Sequence, residues 1–332
     1  MMRVRTGPLL ALLAIITALL FIAALHIGSA SIDVFQALSA SFSQQNTLAA
    51  MILSEIRLPR TLLATAVGAT LGLAGAALQG LLRNPLAGPG LVGVSTCAAL
   101  GAVIALYFGW SSAVWFAVPA AGMIGAAISV VLIFLMAGHN SGVMTLLLAG
   151  VAVNAVASSL ISLVLNFAPN PYAMSEMVYW LLGSLANRSL ADFSLAIPFM
   201  VLGWLLILSS GRFLNALSLG EETAQSLGFH LGQQRAVIVI GVALCVGAAV
   251  SVSGNIGFVG LMVPHLLRPL VGYEPGRLLP ASAFGGAILV LLADITVQLI
   301  SPHQELKLGV VTALVGGPFF LYLIIKTRNT LQ

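Results

Sequence analysis

Long apolar runs alternate with short polar joints along almost the whole chain. A helix needs about 20 apolar residues to cross roughly 30 Å of hydrocarbon, and these runs reach that length repeatedly. They do not alternate apolar and polar with period two, so a membrane β-barrel is set aside. The pattern predicts an all-α polytopic membrane helical bundle of about ten transmembrane helices. The predicted spans are 8–27, 61–82, 91–109, 113–137, 142–167, 193–210, 236–252, 256–272, 278–300 and 308–326.

Two segments outside the predicted spans, 31–59 and 170–192, are long enough to fold. Both fall on one side of the membrane. On the other side the longest joint, 217–230, reads LSLGEETAQSLGFH. Here Ser218 is an N-cap candidate, Glu221 and Glu222 suit a first helical turn, and Gly228 suits a stop. This pattern predicts a short capped helix, which fits either a connector or a helix that docks into a partner.

Composition supports a membrane environment. Hydrophobic residues make up 60% of the 332 residues and charged residues only 7%, whereas soluble domains carry about 25% charged residues. The first run follows Arg3 and Arg5, and its length favours a retained span over a cleaved signal peptide. Both cysteines, Cys97 and Cys245, lie inside apolar runs, which favours packing over a disulfide or a metal site. The whole chain, 1–332, is therefore expected to form a single transmembrane domain.

The net charge of +4 reflects basic residues scattered at helix ends, not a patch that suits nucleic acid. With a cytoplasmic amino terminus, nine basic residues lie inside and four outside, as the positive-inside rule requires. Both termini are then cytoplasmic, and segments 31–59 and 170–192 face outward. The inner set is Arg3, Arg5, Arg83, Arg212, Arg235, Arg268, Arg277, Lys326 and Arg328, and the outer set is Arg57, Arg60, Arg188 and Lys307.

Two glycine patterns bear on packing and symmetry. Gly68, Gly72 and Gly75 share a face of the second span with Gln79, which predicts close approach of another helix. The motifs GLVG, at 90–93, and GFVG, at 257–260, lie about half the chain and five spans apart. An odd number of crossings inverts the second copy, so the echo predicts an inverted repeat of helices 2–5 and 7–10.

Several polar or irregular positions have two interpretations. Arg57 and Arg60 fit either interfacial anchors or receivers of carboxylates from a docking protein. The run 84–90 contains two prolines and two glycines, and it fits either a tight turn or a gate. Pro264 is expected to kink or end the eighth span. Asp294 lies in the ninth span. We expect its carboxylate to find its hydrogen-bond partners near a helix end, and we do not expect it to belong to a proton relay.

Motifs for chemistry are missing from the sequence. It contains no GxxxxGK[ST] phosphate loop and no HExxH zinc motif, and its five histidines lie far apart. The chain is therefore not expected to be an enzyme, to bind a metal or cofactor, or to hydrolyse ATP by itself.

Five motifs, in order, carry a family resemblance over about 57–326. They are RLPRTLLATAVGATLGLAGAALQGLLRNPLAGPGLVGVS, SLGEETAQSLGF, GNIGFVGLMVPHLLR, RLLPASAFGGAILVLLAD and LGVVTALVGGPFFLYLI. In them the chain resembles the iron-siderophore, haem and vitamin B12 permease family of ABC importers, the transmembrane subunits of type II importers.

The resemblance implies ten helices per subunit and a pair of permease subunits, most simply a homodimer, in a bacterial inner membrane. Two cytoplasmic ATPase subunits would bind ATP and Mg²⁺, and an external binding protein would deliver a metal chelate. The chelate would be an iron-siderophore first, with haem or vitamin B12 next. An ion-gradient-driven secondary transporter is the alternative, since an inverted repeat suits it equally.

The resemblance also assigns roles to residues. Arg57 and Arg60 would receive acidic residues of the binding protein. Lys307 could stand in for a positive charge that family members carry where this chain has Gln298. The cytoplasmic gate would comprise Asn84, Leu86, Val143 and Met144. The residues implied in ATPase coupling are Leu219, Gly220, Glu221, Glu222, Ala224, Leu227 and Gly228.

Overall fold

The computed structural model describes residues 6–28, 30, 32–42, 47–138, 142–300 and 306–328, and these contain helices and no strand. The α-helices are α1 (Thr6–His26), α2 (Val34–Phe42), α3 (Leu48–Met51), α4 (Leu58–Leu81), α5 (Val94–Tyr107), α6 (Trp110–Ala113), α7 (Ala117–Ala137), α8 (Val143–Asn166), α9 (Pro171–Leu181), α10 (Leu190–Ser209), α11 (Gly211–Ser218), α12 (Glu221–Ser226), α13 (Leu231–Ser253), α14 (Val259–Leu267), α15 (Pro275–Ile300) and α16 (Leu308–Arg328). A π-helical segment covers Ile52–Arg57, and 3₁₀ turns cover Pro89–Val92 and Arg268–Val271.

Each predicted span corresponds to a helix, which confirms the polytopic helical bundle. Within the described residues, seven helices are long and apolar enough to cross a membrane. The other three spans correspond to the shorter apolar helices Val94–Tyr107, Val259–Val271 and Leu308–Leu323. At 1.5 Å per residue, a helix of about 13 residues rises only about 20 Å. The third and eighth spans therefore cross the hydrocarbon only with the help of irregular backbone at their ends.

The second span begins earlier than predicted. α3, the π-helical segment and α4 form one helix of 34 residues, Leu48–Leu81, of which the most apolar part is largely buried. The predicted segment 31–59 is thus divided between α2 and the first turns of this long helix. Its length exceeds what the bilayer needs.

α4 packs against α15 and α14 through the predicted glycine face. A Cβ added to Gly72 would lie 2.0 Å from the carbonyl oxygen of Ser282 in α15, and one on Gly68 would lie 2.4 Å from that of Gly286. A Cβ on Gly75 would lie 2.0 Å from the carbonyl oxygen of Gly260 in α14. The glycine pattern therefore reports direct backbone-to-backbone packing, as predicted.

The segment predicted at 170–192 is also folded. Asn170 caps α9 by accepting a hydrogen bond from Ala173 N at 2.8 Å. Ser189 and Asp192 form a capping box that starts α10, with Ser189 N donating to Asp192 Oδ2 at 2.8 Å. Between these helices, Ser184 N donates to Ser253 O at 2.8 Å and Gly309 N donates to Gly183 O at 3.3 Å. The loop is therefore bonded to the end of α13 and the start of α16.

The two repeat motifs occupy similar local settings. GLVG forms the 3₁₀ turn before α5, and GFVG spans the break before α14, where Phe258 has a φ of +65°. Both short helices thus begin at an irregular turn, which agrees with the similarity of the two motifs. The inverted repeat itself stays a prediction. Cys97 and Cys245 are free and buried in helices, as expected of packing residues.

Candidate functional site

The predicted coupling segment forms α12, a helix of six residues between two glycines. Gly220 has a φ of +117° and Gly228 a φ of +88°, a region that favours glycine because it has no Cβ. Gly228 is the predicted stop. The predicted N-cap, Ser218, is wrong: it ends α11, and its hydroxyl donates back to Asn215 O at 2.7 Å. Gly220 occupies the N-cap position of α12 without a side-chain cap.

α12 has a buried face and an exposed face. Ala224 is fully buried against the rest of the protein, while Leu219 and Leu227 are 71% and 62% exposed. Glu222 is exposed as well. Two exposed leucines that flank a short helix form an apolar contact surface, which suits insertion into a groove of a partner.

Glu221, the first residue of α12, faces the protein. Its Oε2 lies 2.8 Å from Nη2 of Arg235 in α13, and the Arg235 side chain is only 6% exposed. A polar cavity of about 660 Å³ adjoins this ion pair. Its lining includes Gly142, directly before α8, together with Glu221, Gln225 and His230.

The predicted gate residues lie in two places. Asn84 Oδ1 accepts a hydrogen bond from Leu86 N at 2.9 Å, which closes a tight turn after α4. Leu86 also borders a small apolar cleft with Leu261 of α14 and Phe319 of α16. Val143 and Met144 instead begin α8, where Met144 is well exposed. The turn interpretation of 84–90 is confirmed, whereas gating stays a prediction.

A polar cluster between α4 and α14 was not found from the sequence. Pro264 does not end α14, but it has no N–H to donate to the carbonyl of Gly260, four residues earlier. Gln79 Nε2 lies 3.4 Å from that carbonyl oxygen and 3.3 Å from the oxygen of Leu261. Arg268 in turn donates to Gln79 Oε1. Gln79 therefore donates to a carbonyl that has no helical donor because of Pro264. In the sequence, the signal for this cluster is that Pro264 leaves the carbonyl four residues earlier without an N–H partner.

Arg57 is bound inside the chain. Its guanidinium donates to the carbonyl oxygens of Leu25 at 2.7 Å and His26 at 3.1 Å, and also to Ala30 O. These carbonyls lie at and just beyond the end of α1, where helical backbone lacks internal partners and carries partial negative charge. Arg57 is buried and caps α1.

Arg60 forms a bidentate ion pair with Asp294 of α15. Its Nε and Nη2 lie 3.0 Å and 2.9 Å from Asp294 Oδ1, and Asp294 is 1% exposed. Gln298 Nε2 donates to the other carboxylate oxygen at 2.8 Å. The expectation that Asp294 is satisfied near a helix end is therefore wrong, since its partners are side chains. Gln298, the departure from the family pattern, belongs to the same cluster.

Lys307 lies just before α16, and its Nζ is 5.4 Å from the centre of the Tyr179 ring of α9. This distance is that of a cation–π contact. Arg57, Arg60 and Lys307 are thus each engaged within the chain, and their role in docking stays a prediction.

Seven helices of the described residues are long and apolar enough to cross a membrane, which makes the chain a multi-pass membrane protein. The FecCD transport family matches residues 15–326, and the chain belongs to that family. It is a permease subunit of an ABC importer, in a family whose ATPase is a separate partner.

Relatives and a solved structure agree with this assignment. The chain is 38% identical to the hemin transport system permease protein HmuU of Yersinia pestis, over 94% of this chain and 95% of the relative. It is 39% identical to the vitamin B12 import system permease protein BtuC of Vibrio cholerae, over 87% of each chain. A solved metal-chelate type ABC transporter in an inward-facing conformation matches with a TM-score of 0.84 and 31% identity, over 97% of this chain and 99% of that one.

Proposed function

We propose that this chain forms the translocation pathway for a metal chelate as one of two identical permease subunits in a bacterial inner membrane. Two cytoplasmic ATPases bind ATP and Mg²⁺, and an external binding protein delivers the cargo. The observation that carries the proposal is the likeness of almost the whole fold to a metal-chelate type ABC transporter. The chain itself binds no cofactor and catalyses no reaction, which its lack of a phosphate loop supports.

Both termini are cytoplasmic in this proposal. The distribution of basic residues supports that orientation. α12 is then cytoplasmic and presents Leu219, Glu222 and Leu227 to an ATPase, while Arg57, Arg60 and Lys307 lie on the outer side with α9. The segment 84–90, with Asn84 and Leu86, and the start of α8, with Val143 and Met144, form the cytoplasmic gate.

The cargo is a large chelate, with an iron-siderophore complex as the first candidate. Relatives named for hemin and for vitamin B12 match this chain almost equally, at 38% and 39% identity, so overall similarity does not separate the cargoes. A wide pathway that binds weakly needs few charges, and only 7% of the residues are charged.

Reconstitution tests the proposal. The permease is placed in liposomes with its ATPase, and the binding protein is loaded in turn with a ferric siderophore, haem or vitamin B12. We expect uptake of one chelate that requires both ATP and the binding protein. Uptake by the permease alone under a proton or sodium gradient would establish a secondary transporter instead.

The exposed leucines of α12 give a second test. Replacing Leu219 and Leu227 with serine removes apolar area from the contact, so we expect ATPase binding to weaken about tenfold or more. Affinity of detergent-purified permease for the ATPase measures this. Unchanged affinity would place the ATPase contact elsewhere.

A further inference from the structure

The orientation of α12 depends on few contacts. Glycines with positive φ flank it, and a Cβ on Gly228 would meet no atom within 4 Å, so the backbone on that side is unobstructed. The contacts that hold the helix on the bundle include the burial of Ala224 and the ion pair between Glu221 and Arg235.

The ion pair joins elements of different kinds. Glu221 is 37% exposed and belongs to a short helix between glycines, whereas Arg235 is almost buried in the second turn of α13, whose apolar length suits a membrane span. Separating a nearly buried guanidinium from its carboxylate removes a charge contact that the poorly solvated side of the pair strengthens. A displacement of α12 would therefore strain this link to α13.

The same pair faces the start of α8. The cavity beside it is polar, and Gly142 lies on its lining next to Val143, a proposed gate residue. The lining of this cavity thus joins Glu221 of α12, Arg235 of α13 and the residue directly before α8. The pair is therefore placed between the proposed ATPase contact and the proposed gate.

We infer that the Glu221–Arg235 ion pair transmits the movement of α12 to α13, with Glu221 as a positioning residue and not an ATPase contact. This inference rests on the proposed function. It separates two roles within one segment: the exposed leucines hold the ATPase, and the inward carboxylate passes its motion on.

The experiment uses the assembled importer in liposomes and measures three quantities: ATPase affinity, ATP hydrolysis stimulated by the binding protein, and chelate transported per ATP hydrolysed. For Glu221→Gln and Arg235→Gln we expect ATPase affinity within about twofold of wild type, because the leucine surface is kept. Transport per ATP should fall at least about tenfold, because the link to α13 is lost. The charge-swapped double variant, Glu221→Arg with Arg235→Glu, should regain at least half of that ratio.

Arg277→Gln is the matched control. It also breaks a glutamate–arginine pair, with Arg277 Nε 2.6 Å from Glu274 Oε2, but these two residues are only three positions apart at the start of α15. Its transport per ATP should stay at the wild-type value. A wild-type ratio in both single variants, or lost ATPase affinity in Glu221→Gln, would overturn the inference while leaving wild-type transport, and so the proposed function, intact.

Discussion

At the scale of single residues, polar side chains in this bundle mainly form hydrogen bonds and ion pairs with the backbone and with each other. Arg57 caps α1, Gln79 donates to the carbonyl that Pro264 leaves without a helical donor, and Arg60 forms an ion pair with Asp294. Hydrocarbon supplies no alternative partners, so each of these groups needs one inside the protein.

The Arg60–Asp294 pair gives a stability prediction. Asp294→Asn leaves the Arg60 guanidinium without its ion pair, and we expect a loss of about 3 kcal/mol, the lower end for a buried pair because Arg60 is 19% exposed. Arg60→Gln combined with Asp294→Asn should lose less, because no charge is left uncompensated. Thermal unfolding in detergent compares them. A double variant no more stable than Asp294→Asn would contradict this account.

Gln79 gives a second prediction. Gln79→Leu removes the partner of the Gly260 carbonyl, and an unsatisfied buried group costs about 1–3 kcal/mol. Adding Pro264→Ala supplies an N–H at the right offset, so the double variant should recover part of the melting temperature. If Pro264→Ala lowers the melting temperature further in the Gln79→Leu background, the role assigned to Gln79 is wrong.

Sequence reasoning at this scale found the residues but not their partners. Arg57, Arg60, Asp294 and Gln298 were each singled out, yet Arg60 and Asp294 are 234 positions apart, and nothing in either local pattern connects them. Residue type alone makes Ser218 a cap candidate. Its hydroxyl instead donates to Asn215 O, one turn earlier in α11.

At the scale of elements, length and glycine spacing were the reliable signals. Apolar runs located a helix at each of the ten predicted spans, and the Gly68, Gly72 and Gly75 face predicted close packing. The early start of the second span was missed because Leu48–Arg57 includes Ser54 and Glu55, which resemble a loop. Helical hydrogen bonding continues through them as a π-helical segment.

The packing of α4 on α15 predicts the effect of one methyl group. Gly72→Ala places a Cβ 2.0 Å from the Ser282 carbonyl oxygen, so the helices must separate, at a cost of about 1–3 kcal/mol. Gly317→Ala, in α16, meets no atom within 4 Å and should be neutral or slightly stabilising. Melting temperatures of the two variants should therefore move apart, and equal shifts would contradict the packing argument.

At the scale of the whole molecule, the proposed docking surface and coupling segment lie at opposite ends of the bundle in the proposed orientation. Lys307 is the most direct test of the docking surface, because changing it does not disturb the Asp294 cluster. Lys307→Gln should weaken binding-protein affinity and reduce its dependence on salt. Arg277→Gln, at the other end, should change neither quantity, and an affinity equal to wild type for Lys307→Gln would remove Lys307 from the docking surface.

The π-helical segment Ile52–Arg57 has a consequence for how this family member tolerates insertions and deletions. Its wide turn holds about one residue more than an α-helical turn, so that residue can be removed without breaking the helix. Deleting Ser54 should turn the segment into ordinary α-helix with little rotation of α3 around the axis of α4, because the π-helical turn holds its extra residue without adding a turn. The helical residues on both sides of the segment would therefore keep the faces that they now present to their neighbours.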